Sequence, residues 1–457
     1  MISDGGLIPR RHALSRYLGI LGGTAITAAA VALAGGMPVM AAAATAAASG
    51  GWSRPRELPA PRDLAEIAAF NALSCASRSD CTAVGWYQDQ SSGRIRDFAA
   101  TERRGVWGKA LSIAAPTAGK NVDFGGLPVL SCASAGNCAA GDSYNSSGFV
   151  ISETNGTWGK AQQVYSGPDA ISCPAPGDCT AALAGGYLLS EEHGTWRKAF
   201  PVPGLAALSD RGIDSEVISC PSPGDCTAAG GYYDPAVVDR SFVVTERHGV
   251  WGNAQKVRNS RPGTGLNITA LSCSSAGNCV AAGWAYPPDG YGAFAVTETH
   301  GRWGPAEFLP GTFKLGGGGG IDQLDCPAAG ACTALGDLSV EQPFVSTEQN
   351  GTWHTAQTIT GAGPSGGDIF DSISCAAAGN CVFAGDIPVR GGQQQAATAE
   401  QVNGRWGPAT VLPGILAIDH GQDSALEAVS CPPRSRCTAV GSLTDGGPGY
   451  LLATVQR

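Results

Sequence analysis

The sequence predicts an all-β fold, a propeller of eight four-stranded antiparallel blades closed by a strand from the start of the mature chain. Three observations carry that expectation. Sixteen cysteines fall into eight pairs, all spaced C-x5-C and recurring every 41 to 57 residues, a period that belongs to propeller blades or helical repeats. The 66 glycines, together with β-branched alternation between turns, disfavour helices. A tryptophan follows seven of the pairs, and an eighth precedes the first.

The pairs are Cys75/Cys81, Cys132/Cys138, Cys173/Cys179, Cys220/Cys226, Cys273/Cys279, Cys326/Cys332, Cys375/Cys381 and Cys431/Cys437. Serine precedes the first cysteine in seven of the eight units, and Asp325 does so in the other. Each unit reads as four short strands. The first ends at the Cys, as in Glu216-Val217-Ile218-Ser219-Cys220, and a turn over 221–225 follows. The second starts at the second cysteine, as at Cys226, and a variable loop leads to the third, Phe242-Val243-Val244-Thr245-Glu246. A tight turn, Arg247-His248-Gly249, leads to the fourth, which carries Trp251. Glycine supplies turn geometry that other residues resist.

The recurring tryptophans are Trp107, Trp158, Trp196, Trp251, Trp303, Trp353 and Trp406, with Trp52 ahead of the first cysteine pair. The last unit has a third strand, 450–456, and no fourth, while the Trp52 segment is a fourth strand without a blade. Joining them closes the ring and removes the free edge. An open array with frayed ends is the alternative.

Even pairing and an export leader favour disulfides. Their role is then to hold hairpin register in glycine-rich strands. Zinc would call for C-x2-4-C with a second cluster, which is absent. The repeat tryptophans read as packing between blades. Trp86 and Trp284 fall outside the repeat, after the second strand, and are candidates for exposed stacking.

Residues 1–50 read as a leader and 51–457 as the propeller. Arg10, Arg11 and Arg16 precede an apolar run over 18–34, and small-residue sites such as Ala41-Ala42-Ala43 follow. Arg10-Arg11 with Leu14 matches a twin-arginine signal, without the usual aromatic. An uncleaved anchor is the alternative, although Gly22, Gly23 and Gly35 interrupt the run. The leader contributes +2 to a net charge of −9, leaving −11 for the mature chain. Such an acidic body disfavours nucleic acid. It reads as a secreted or surface-associated monomer, outside the membrane once the leader is removed.

The third-to-fourth strand segment, as in Thr101-Glu102-Arg103-Arg104-Gly105-Val106-Trp107 and Thr297-Glu298-Thr299-His300-Gly301-Arg302-Trp303, resembles the Asp-box (BNR) repeat of sialidase-type propellers. It departs from that repeat in lacking the Asp in most units and in separating Gly from Trp by one residue. The Ser-Cys-x5-Cys-Thr-Ala units also resemble those of secreted actinobacterial propellers of unassigned function. These resemblances imply a fold and say almost nothing about activity.

Variable loops on a rigid frame carry function, so the binding face is assigned to the second-third loops and the connections between blades, including 205–214, 232–241, 287–292 and 417–424. Four positions before the first Cys stand Asn71, Pro128, Asp169, Glu216, Thr269, Asp322, Asp371 and Glu427, five of them carboxylates. At the mouth of the central channel they could bind Ca²⁺ or a cationic ligand. The competing reading has them accepting N–H bonds from adjacent blades and tying the ring together.

Catalytic signals are weak. Arg94, Arg96, Arg211, Arg240 and Arg390 fall in variable loops without a spacing that selects a carboxylate-binding triad. His193, His248 and His300 precede turn glycines, and His420 lies in the most site-like cluster, 419–423. Nucleophile-elbow, zincin and phosphate-loop motifs are absent. The Asn-x-Ser/Thr matches at Asn145, Asn155, Asn267 and Asn350 are set aside, because the leader is of bacterial type. The leading expectation is a non-catalytic module without a required cofactor that binds a glycan, cell-wall polymer or protein. A glycoside hydrolase or lyase on the same scaffold and a purely structural surface protein are the alternatives.

Overall fold

The computed structural model describes residues 51–59, 64–113, 126–144, 147–209, 213–234, 238–259, 263–287, 290–315, 319–338, 342–362, 370–389, 391–419, 421–443 and 451–456. The leader lies outside them. Eight antiparallel sheets follow one another along the chain. Blades 1 to 7 occupy 64–113, 129–164, 168–201, 213–256, 265–308, 323–358 and 370–411. Blade 8 combines 424–455 with Arg56–Glu57. The first strand of each blade is innermost, and these strands neighbour one another in a closed cycle from blade 1 through blade 8 and back. Among the described residues no helix is long and apolar enough to cross a membrane.

Closure occurs where the displaced tryptophan predicts it. Glu or Gln of the third strand faces Trp of the fourth in every blade, as in Glu102↔Trp107 and Gln401↔Trp406. In blade 8 the same bridge is Trp52↔Gln456. Arg56 and Glu57 continue the pairing with Ala453 and Leu452. Leu58 then packs with Leu451, Val440 and Phe98, so the core between blades 8 and 1 joins segments far apart in the chain.

All sixteen cysteines form the eight expected hairpin disulfides. These are Cys75–Cys81, Cys132–Cys138, Cys173–Cys179, Cys220–Cys226, Cys273–Cys279, Cys326–Cys332, Cys375–Cys381 and Cys431–Cys437, with Cα–Cα distances of 3.9 to 4.1 Å. Their place in the strands differs from the expectation. The first cysteine does not end the first strand in blades 1 to 7. Pairing continues beyond it and turns through two residues, as in Ser222↔Asp225 around Pro223-Gly224. A bulge in these seven hairpins absorbs the extra residue.

The second cysteine does not start the second strand either. Cys81, Cys138, Cys179, Cys226, Cys279, Cys332 and Cys381 are each its second residue, after Asp80, Asn137, Asp178, Asp225, Asn278, Ala331 and Asn380. The reason is the same tight turn, whose closing pair is the residue before this cysteine. Blade 8 lacks that pair, and its second strand begins at Thr438, one residue past Cys437. The second cysteines are also the more deeply placed partners. Cys81, Cys138, Cys179, Cys381 and Cys437 are all at most 4% exposed. They are buried parts of the frame.

The motif serine has a specific task. In each blade the backbone N–H of the first cysteine donates to the motif side chain of the blade before it. Ser74 accepts from Cys132 at 3.0 Å and Ser131 from Cys173 at 3.0 Å. Around the ring, Ser430 accepts from Cys75 at 3.0 Å and closes the cycle. Asp325 replaces serine with another acceptor and receives Cys375 N–H at 2.7 Å. Eight such bonds stitch the innermost strands together. A tie between neighbouring blades is thus made one residue before the first Cys in every blade.

The histidines before glycine are turn residues. His193, His248 and His300 are exposed, with φ of 52°, 50° and 48°. Each opens a two-residue turn in which both residues take positive φ. Their N–H groups reach Asp178, Asp225 and Asn278 in the first-second turn. The glycine N–H bonds that same turn, as Gly301 does to Gly277 O at 2.8 Å. One face of the propeller is thus locked by short paired turns. Second-third loops and inter-blade connections form the opposite, loop face.

Candidate functional site

Five of the eight aligned positions at the channel mouth, Asn71, Asp169, Thr269, Asp371 and Glu427, are the extra residue of a bulge in the first strand. In blades 5 and 8 the bulge drives a carbonyl toward the second strand. A Cβ on Gly283 would lie 2.0 Å from Asn267 O, and one on Gly441 would lie 2.0 Å from Ala425 O. Only glycine fits opposite there, but glycine at four residues past the second Cys does not by itself mark the bulge, since Gly230 of blade 4 pairs directly with Glu216. Blade 3 bulges with Leu183 at that position.

The side chains released by the bulges go different ways. Asn71 donates to Gly126 O in the segment leading into blade 2, and Thr269 donates to Ile321 O ahead of blade 6. Glu427 accepts from Ser442 of its own blade. Asp169 is half-buried and Asp322 exposed. Glu216 is buried, and burial together with the neighbouring Asp169 charge pushes its carboxyl up to about 9. At neutral pH Glu216 is therefore largely protonated. The side chain of Asp371 and the whole of His420 lie outside the described residues. Among the described residues no three His, Cys, Asp or Glu side chains are gathered to hold a metal ion.

Trp86 and Trp284 lie within second strands, Asp80–Asp89 and Asn278–Tyr286, rather than after them. Both are half-buried. Each indole is packed against a glycine of the segment leading into the next blade: a Cβ on Gly126 would lie 2.6 Å from Trp86 Cδ1, and one on Gly320 2.3 Å from Trp284 Cδ2. With Asn71 and Thr269 beside them, these make matching junctions in blades 1 and 5, on opposite sides of the ring.

Near Trp86 two buried carboxyls meet. Asp142 accepts N–H bonds from Gly126 at 3.1 Å and Ser143 at 2.6 Å. Burial, and after it the neighbouring Asp142 charge, push the Asp97 carboxyl well above the usual range.

Loop-face arginines are engaged locally. Arg240 pairs with Asp234 at 2.9 Å and donates to Thr264 O at 3.1 Å. Arg96 lies 3.5 Å from Asp89, whose carboxyl is pulled down to about 2 chiefly by the Ser91 hydroxyl. Arg211 and Arg390 lie outside the described residues.

Sequence reasoning missed an aromatic group on the loop face of blade 5. Tyr286 and Tyr291 meet edge to face at 5.1 Å, and Phe308 and Phe313 lie 5.5 Å apart. Gly292 joins the two pairs, since a Cβ there would strike the Phe313 ring. Tyr291 is 54% exposed and Phe313 36%. The signal was present as Tyr286, Tyr291 and Phe313 in two variable segments, but neither segment alone brings them together.

No family model and no curated protein matches this chain. Solved propellers do. Sqt1 from Chaetomium thermophilum is 9% identical with a TM-score of 0.50, over 85% of this chain and 95% of that one. The WD40 domain of SCAP from fission yeast is 8% identical with a TM-score of 0.49, over 88% and 98%. YCF48 from Cyanidioschyzon merolae is 11% identical with a TM-score of 0.41, over 88% and 98%. At these identities the likeness concerns the fold.

Proposed function

We propose that the chain is an exported, non-catalytic binding module that holds a glycan or cell-wall polymer on its loop face. The observation that carries this reading is the partly exposed aromatic group of blade 5, Tyr286, Tyr291 and Phe313, fixed on a cystine-braced frame. Tyrosine and phenylalanine offer large contact area at small entropic cost, and the C–H face of a pyranose stacks on such rings. The polar repeat residues serve the frame instead: the serines bond between blades, and the turn histidines hold hairpins. Eight disulfides favour an oxidising compartment, in keeping with the export leader.

The test is calorimetric titration of the exported protein with a panel of glycans and cell-wall polysaccharides, run beside a sugar-release assay. Saturable binding without product, weakened at least about tenfold by Tyr291→Ala with Phe313→Ala, is expected, about 1.4 kcal/mol or more. Product release would favour the glycoside hydrolase or lyase alternative. Binding unaffected by the double substitution would move the site elsewhere.

A further inference from the structure

On the turn face, each blade meets the next through a buried polar seam. The third-strand Glu of one blade faces the third strand of the blade before it, and the residue two before the turn glycine reaches across. Between blades 4 and 5 that residue is Arg247. Its guanidinium donates to Glu298 Oε1 at 3.1 Å and Gly301 O at 3.2 Å, and a Cβ on Gly301 would lie 2.3 Å from Arg247 Nη2. Arg103 covers Gly156 in the same way between blades 1 and 2.

Between blades 5 and 6 the crossing residue is Thr299, which is too short to reach. Nothing lies within 4 Å of the position a Cβ would take on Gly351, the counterpart of Gly301. The groove holds a cavity of about 600 Å³ lined by Glu298, Thr299, Glu307, Glu348, Gly351 and Trp353, among others. Glu348 is 3% exposed, and its Oε2 has no hydrogen-bond partner; the Trp353 indole N–H has none either. Burial, and after it the charge of nearby Glu307, push the Glu348 carboxyl above the usual carboxylate range.

We propose that this groove is a docking site for an arginine side chain of a partner protein, seated over Gly351 against Glu348 as Arg247 sits over Gly301 against Glu298. A guanidinium can bond a carboxylate and a carbonyl at once through its planar fork, which an ammonium does less well. The acidic lining favours a basic segment, and the site is separate from the aromatic group on the loop face.

The experiment titrates the protein with an acetylated, amidated Gly-Ala-Arg-Ala-Gly peptide and with its citrulline and lysine counterparts. The arginine peptide is expected to bind saturably, with at least about tenfold weaker binding of the other two. Thr299→Arg supplies the guanidinium in cis, so this variant should lose binding while melting no lower than the parent. Glu348→Gln should lose binding and still fold, because Gln401 holds the same position in blade 7. Equal binding of the citrulline or lysine peptide would overturn the proposal. So would undiminished binding by the folded Thr299→Arg protein, or no binding of the arginine peptide at all.

Discussion

Replacing Trp52 by alanine tests whether the ring is closed by its N-terminal strand. Trp52 is 3% exposed and donates its indole N–H to Glu400 Oε1 at 2.7 Å. It packs in one core with Leu412, Ile415, Leu426 and Leu452. Truncating a buried tryptophan costs about 3–5 kcal/mol. With unfolding entropy of about 2.1 cal/mol/K per residue, a body of about 400 residues loses about 4–6 °C in melting temperature. Scanning calorimetry should find this drop, and a similar one for Trp196→Ala. Trp196 is the in-blade counterpart, 9% exposed and bonded to Ser152 Oγ at 2.9 Å. Deleting 51–58 should cost more, because it also removes the backbone bonds Ser53 N to Val455 O and Leu58 N to Leu451 O. A Trp52→Ala or truncated protein that melts like the parent, beside a destabilised Trp196→Ala, would refute closure by this strand.

Three further outcomes follow from the frame. Asp325 has its carboxyl pushed up by burial, so the native state binds that proton more tightly than the unfolded chain and stability falls as pH rises. Asp325→Ser should therefore raise the melting temperature at pH 8, with the gain disappearing near pH 4. Glu102 and Glu216 are pushed from 4.5 up to about 7 and about 9. They make the protein progressively less stable between those limits, and Glu102→Gln with Glu216→Gln should flatten the pH profile of urea midpoints. Replacing Cys326 and Cys332 together by alanine opens a small loop and should cost about 2 kcal/mol, or about 2–3 °C by calorimetry.

Blade number and closure were legible because covalent and steric demands repeat one residue type at one offset. Cysteine must meet cysteine, and the fourth-strand Trp fills the same gap in each blade. Strand limits around the cystines were less legible, because the spacing Cys81 keeps from Cys75 does not reveal the bulge between them. The task of the motif serine was not legible, although its signal was there: position 325 departs from serine only to aspartate, another acceptor. Its meaning depends on the stagger between neighbouring blades, which one unit does not contain. Trp86 and Trp284 were misplaced because second strands in blades 1 and 5 run on toward the loop face, to Asp89 and Tyr286. The docking groove is invisible in sequence for the same reason as the serine ring. Thr299 in place of arginine matters only once blade 6 stands beside it.

The polar seams answer a weakness in the apolar packing. Two residues past the second cysteine, seven blades carry Ala83, Ala140, Ala181, Ala228, Ala281, Ala334 and Ala439, all at most 2% exposed. Alanine lets sheets approach closely but buries little area, so it specifies stagger poorly. Directional bonds from Cys N–H to Ser Oγ supply that specification at each joint. A ring tolerates little cumulative error in stagger, because the last joint must still bring Ser430 to Cys75. Positions that set the stagger are consequently held nearly constant from blade to blade. The crossing residue on the turn face is free of that duty, and it varies through Arg103, Thr154, Glu192, Arg247, Thr299, Gln349 and Val402. Specificity can therefore be built at these seams, one junction at a time, without disturbing the frame that holds them.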